Sequence, residues 1–85
     1  MRKVVFMPIA LAHLEWWIKE HPKTIAKIIG LANNAAKSPF SGLGKPEPLK
    51  ANFKGYWSRR ITHEHRMVYK VLEEEIIIMS VKGHY

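Results

Sequence analysis

Along this chain the apolar positions first run together, then recur every three or four residues, then alternate. Residues 3–7, KVVFM, are β-branched and aromatic and predict a short strand. Pro8 follows where a helix can begin, because the first turn needs no N–H there. Leu11, Leu14 and Ile18 recur at i, i+3 and i+7, which predicts a helix over 8–20 with these three on its buried face. Trp16 and Trp17 point about 100° apart on such a helix, so one ring is expected in the core and the other along its rim. EHPK breaks this helix, and Pro22 suits the first turn of the next. Ile25, Ile28, Ile29, Ala32 and Ala36 form the second stripe, with Lys23, Lys27 and Lys37 off it. Helical order is expected to fade near NNAAKSP, since Ser38 precedes a proline.

The second half reads differently. SPFSGLGKPEPLK, residues 38–50, holds three prolines and two glycines in thirteen residues and predicts a loop. YWSRRITH (56–63) and HRMVYKVL (65–72) alternate apolar and polar positions, as half-buried strands do. EEE makes a turn, and the nearly unbroken IIIMSV (76–81) predicts a central strand. The order is β-α-α-β-β-β. The three closing strands form a meander and should be antiparallel. The expected class is α+β, a helical hairpin packed on one face of a mostly antiparallel sheet. The opposite face is then open and is the natural place for a site.

Composition narrows this further. Eighty-five residues suit a single domain, 1–85, with a modest core that a partner subunit could supplement. There is no cysteine, which excludes a disulfide framework or thiolate zinc site and fits a reducing cytoplasm. MRKVVFMPIALA imitates a secretory leader but is too short for one and is interrupted by proline, so it reads as strand then helix. No run approaches the length of a membrane span. The net charge is +7, with no aspartate, and the stretch from Lys45 to Arg66 carries six cations against two carboxylates. Clustered positive charge points to a polyanion, and in so small a domain to nucleic acid.

Three places combine unusual residues with that basic setting. In KPEPLK, Glu47 stands between two prolines that stiffen its backbone, which suits a carboxylate that must be aimed. In WSRRITHEHR, period 2 puts Trp57, Arg59 and Ile61 toward the helices, and Ser58, Arg60 and Thr62 outward. If Met67, Tyr69 and Val71 pack inward, Arg66 faces out beside Arg60, and two guanidinium groups on one open face would hold a phosphate. His63 and His65 share a face in this reading, yet no third metal ligand is apparent, so no metal or other cofactor is expected. The third place is the terminal His84-Tyr85. A carboxylate, cations, a histidine and a tyrosine are the parts for metal-free RNA cleavage. There the ribose 2′-OH attacks the neighbouring phosphate, a base and an acid move protons, and cations stabilise the charge that develops.

Across GKPEPLKANFKGYWSRRITHEHRMVYKV and the closing HY, this sequence resembles the YoeB (Txe/YoeB) toxins of bacterial type II toxin–antitoxin systems, within the RelE/ParE superfamily. The resemblance spans essentially the whole chain and is looser in the helical half. It implies a RelE/ParE-like toxin fold and a ribosome-dependent endoribonuclease that cuts mRNA in the ribosomal A site and so inhibits translation. It implies a YefM-type antitoxin, operator DNA bound only by the toxin–antitoxin complex, and a homodimer. Residue by residue, Glu47 matches the family's general base, Arg66 the arginine at the scissile phosphate, and His84 the general acid. Tyr85 matches the tyrosine that orients substrate, Lys50 and Arg60 the supporting cations, and Glu64 a carboxylate near the site. With cations around it, Glu47 could instead orient Arg66 or the 2′-OH. The departures are Met7-Pro8 where a capping Ser or Asp is typical, and few acids in the first helix. The rival is a non-enzymatic, ParE-like toxin acting on a protein such as DNA gyrase; the retained Glu47, Arg66 and His84-Tyr85 argue against it. A simple RNA- or DNA-binding module is a third reading.

Overall fold

The computed structural model describes Met1–Gly83; His84 and Tyr85 lie outside the described residues. Strand β1 (Lys3–Phe6) leads into helix α1 (Pro8–Glu20) and helix α2 (Ile25–Lys37), followed by β2 (Glu47–Pro48), β3 (Tyr56–Arg60), β4 (Arg66–Val71) and β5 (Glu75–Ser80). The sheet order is β1-β5-β4-β3-β2. β2 to β5 are antiparallel neighbours, whereas β1 lies parallel to β5, with Val4 opposite Ile76 and Phe6 opposite Ile78. This is the expected α+β class with one strand more than expected. Glu47–Pro48 pairs with Ser58 and Trp57 inside the segment read as loop. So short a strand carries no hydrophobic period, and its proline is tolerated because β2 is the sheet edge.

Both helices cover one face. Ala10, Trp17, Ile28, Leu31, Ala32, Ala35 and Ala36 pack against Met67, Tyr69, Ile76, Ile78 and Val81. Helix α2 buries most of its predicted stripe, although Ile29 is exposed. Helix α1 is rotated from expectation. Leu11 and Ile18 are 50% and 59% exposed, while Ala10 and Trp17 are buried and Leu14 is partly so. The large indole decides this rotation, because burying Trp17 removes more apolar surface and lets its Nε1–H reach the carbonyl of Val81 at 2.7 Å. Trp16 meets it edge-on at 5.0 Å along the rim, as the sequence implied. Met7 gives α1 no side-chain cap, and Pro8 is its first residue. Pro22–Thr24 forms a 3₁₀ turn before α2 proper.

β5 lies inside the sheet, but β4 is the central strand. Its register shifts where β4 passes from Val68 to Tyr69, leaving Met79 as an extra residue. That bulge changes the side-chain parity. Ile76 and Ile78 face the helices, Ser80 pairs with Val68, and Val81 returns to the core.

The helix-side face of β3 contains a buried charge. Arg59 is 0% exposed, as period 2 required. Its five N–H groups reach five acceptors: Nε donates to the Tyr69 hydroxyl, Nη1 to Asn34 Oδ1 and the Leu43 carbonyl, and Nη2 to the carbonyls of Ser38 and Ser41. Full satisfaction makes a buried guanidinium tolerable. Tyr69 passes the network on, donating to the Pro39 carbonyl at 2.7 Å. Burial raises the Tyr69 phenol pKa, against the opposing effects of the Arg59 hydrogen bond and charge, which keeps that donor protonated. Arg59 thereby holds the loop 38–44 against the sheet, just before β2.

Candidate active site on the open sheet face

Glu47 owes its place to that anchored loop. Arg60 N–H donates to the Gly44 carbonyl at 2.7 Å. Gly44 has φ +79, and a Cβ there would meet Leu31 at 2.9 Å and Arg59 at 3.1 Å, so the close approach needs glycine. Lys45 is also left-handed, at φ 51. The chain then straightens into β2, with Glu47 opposite Ser58.

Arg60 and Arg66 are directly opposed across β3 and β4. Like charges in that arrangement destabilise a sheet. The charge is concentrated where a small pocket of about 110 Å³ opens, lined by Lys45, Glu47, Leu49, Ser58, Arg60 and Arg66. Arg66 is held by the hairpin that precedes it. Its Nη1 donates to the carbonyls of Thr62 at 2.9 Å, His63 at 3.2 Å and His65 at 3.3 Å. Thr62 Oγ1 in turn accepts the N–H groups of Glu64 and His65, which fixes the loop. A guanidinium aimed in this way, next to a second one and a carboxylate, can grip a phosphate group and orient a hydroxyl beside it.

Glu47, Arg60 and Arg66 therefore meet, as the sequence implied. Lys50 and Glu64 do not line the pocket: Lys50 is exposed after β2, and Glu64 is exposed in the β3–β4 hairpin. His84 and Tyr85 fall outside the described residues, but Gly83 before them is bonded to Arg66, whose N–H donates to its carbonyl at 2.7 Å. His63 and His65 sit in the hairpin loop, not on a strand face as expected, because β3 ends at Arg60 and β4 starts at Arg66. Among the described residues no group of three or more His, Cys, Asp or Glu is placed to hold a metal ion. Lys45 and Ser58 were not assigned to the site from sequence. Ser58 shares the two-residue period of Arg60, whereas the left-handed turn that brings Lys45 in has no sequence signal.

Two helices on one face of a small mixed sheet, with a cation-lined pocket on the other, place the protein in a known class of bacterial toxins. A YoeB/ParE toxin from Agrobacterium tumefaciens superposes with a TM-score of 0.92 at 42% identity, covering 98% of this chain and 99% of that one. Residues 6–85 match the model of the YoeB-like toxins of bacterial type II toxin–antitoxin systems, and the chain belongs to that family. Toxin YoeB of Synechocystis sp. is 48% identical over 84 residues, 93% of this chain and 98% of that protein. Two Staphylococcus aureus structures are 40% identical to this chain. One is a YoeB dimer, with a TM-score of 0.90 and coverage of 99% and 98%. The other is a heterotetrameric YoeB–YefM toxin–antitoxin complex, with a TM-score of 0.87 and coverage of 100% and 99%.

Proposed function

We propose that this toxin is a metal-independent endoribonuclease that cuts mRNA in the A site of the 70S ribosome and is neutralised by a YefM-type antitoxin. The observation that carries this reading is the opposed Arg60–Arg66 pair sharing one pocket with Glu47. Two cations facing each other at a stability cost make sense if an anion bridges them. A scissile phosphate seated there would have Arg66 against its non-bridging oxygens, with Arg60 beside it and Lys50, outside the pocket, adding positive charge at longer range. The 2′-oxygen attacks phosphorus, the 5′-oxygen leaves, and the products are a 2′,3′-cyclic phosphate and a 5′-hydroxyl. Glu47 takes the 2′ proton or orients that hydroxyl. His84 gives a proton to the departing oxygen, Tyr85 orients the substrate, and Glu64 stands as the family's carboxylate near the site, in the β3–β4 hairpin. The ribosome supplies alignment, which can contribute much of the rate.

The partners follow the same reading. The S. aureus relative assembles with YefM and also forms a dimer, and a +7 domain with a basic open face suits an acidic segment that folds on binding. The homodimer and operator binding by the toxin–antitoxin complex belong to this proposal.

Mapping mRNA 5′ ends in a reconstituted translation reaction tests it. Cuts at the A-site codon that require ribosomes are expected, and Glu47→Gln should slow single-turnover cleavage. Undiminished cleavage by that variant removes Glu47 from the chemistry. Intact mRNA with stalled DNA gyrase would transfer the protein to the non-enzymatic reading. RNA binding without cleavage or toxicity would leave a binding module.

A further inference from the structure

Beyond β5 the chain runs from Val81 to Gly83 outside any strand, yet each residue is fastened. The Val81 carbonyl accepts from Trp17 Nε1 at 2.7 Å, and its N–H donates to His13 Nδ1 at 3.2 Å. The Lys82 ammonium lies over the Trp16 ring, 4.5 Å from its centroid. Gly83 is held at both ends: its N–H donates to His65 Nδ1 at 2.9 Å, and its carbonyl accepts from the Arg66 N–H at 2.7 Å. Gly83 takes φ +83, and nothing lies within 4 Å of the position a Cβ would occupy, so glycine serves the backbone turn here and not the space.

The His65 contact is specific in chemistry. A ring nitrogen that accepts a backbone N–H carries no proton, so the neutral ring holds its hydrogen on Nε2. The ring itself is fixed by packing, edge-on to Trp17 at 4.9 Å and tilted against Trp16 at 5.6 Å. The hairpin that aims the Arg66 side chain thus presents, one residue earlier, an oriented acceptor for the amide before His84.

We propose that His65 is a positioning residue for the terminal His84-Tyr85 pair: through the Gly83 amide it sets the direction in which the chain leaves Arg66. This rests on the reading above, in which that pair works at the scissile phosphate. His65 touches no substrate in this scheme. Losing its Nδ1 lets the terminal acid drift, and a misplacement of about 1 Å can cost roughly 100-fold in rate.

Two substitutions separate packing from hydrogen bonding. His65→Phe keeps a ring against the tryptophans and removes the acceptor; His65→Asn keeps an acceptor near the Nδ1 position. In single-turnover cleavage on programmed ribosomes, His65→Phe should lower the saturating rate about 10- to 100-fold, with the half-saturating toxin concentration nearly unchanged. His65→Asn should retain most of the rate. Amide exchange at Gly83, read by NMR, should accelerate in His65→Phe and stay slow in His65→Asn. In a chain ending at Gly83, His65→Phe should have no further effect on cleavage. A wild-type rate for His65→Phe, or a loss that persists in the shortened chain, overturns the proposal. Unchanged Gly83 exchange in His65→Phe also overturns it. Full activity of the chain ending at Gly83 instead condemns the terminal-pair reading, and Gly83 exchange still decides whether His65 holds the segment.

Discussion

Arg59 and Arg60 are neighbours on one strand, carry the same charge and live in opposite environments. Arg59 points to the helices, is fully buried and has every N–H matched to a neutral oxygen. Arg60 points to the open face, is exposed, and stands directly opposite Arg66 at the pocket that holds Glu47. The helix-side arginine organises the loop that delivers Glu47; the open-side arginine remains available to a ligand. A count of basic residues treats the two alike, but the alternation of the strand separates a structural cation from a functional one.

That contrast can be broken by substitution. The largest effect on stability is expected from Arg59→Ala, which removes five hydrogen bonds and releases loop 38–44 from the sheet, and should cost about 3–5 kcal/mol in urea unfolding. Arg60→Ala should stay within about 0.5 kcal/mol while weakening binding to RNA-programmed ribosomes. Equal losses of stability in the two variants would end the distinction. Arg66→Ala should lower single-turnover cleavage by about 10²–10³-fold, as loss of a preorganised charge at a reacting centre does, with the fold retained by circular dichroism. Tyr69→Phe should cost about 1–2 kcal/mol, because it removes an acceptor from Arg59 and a donor to the Pro39 carbonyl; cleavage per folded molecule should fall far less than in Arg66→Ala, since four of the five Arg59 bonds remain.

The smallest effect concerns pH. Burial first, and then the charge of Lys82, lowers the His13 pKa from 6.5. The unfolded chain therefore binds more protons there than the folded one as pH falls below 6.5, so stability declines through that window and levels off below the folded pKa. His13 is partly exposed, and the change in melting temperature between pH 7.5 and 5.5 should be only about 1–3 °C. His13→Gln should flatten that part of the profile. A steeper wild-type decline that survives the substitution would assign the pH dependence elsewhere.

The sequence marked some parts of this architecture better than others. The strand alternation in 56–60 and 66–71 was sufficient to sort inward from outward residues, because the period of a strand is fixed and one face is dry. Pro8 marked the start of α1, since its ring suits only a few backbone positions. The face of α1 was misread because Leu11, Leu14 and Ile18 matched the helical period, while the tryptophan beside them offered more surface to bury. β2 was missed because two residues cannot display a period, and Lys45 because a left-handed turn leaves no pattern.

By itself, then, the sequence determined the α+β class, the two-faced sheet and the residue types that converge on Glu47, Arg60 and Arg66, because each depends on local periodicity or on a rigid Pro-flanked backbone. Only the tertiary structure decided which oxygens hold Arg59, that β1 joins the sheet parallel to β5, and that His13, Trp17 and His65 fasten the segment leading to the C-terminus. These depend on contacts between residues tens of positions apart. Local pattern cannot encode such pairings, because they exist only once the chain has closed on itself.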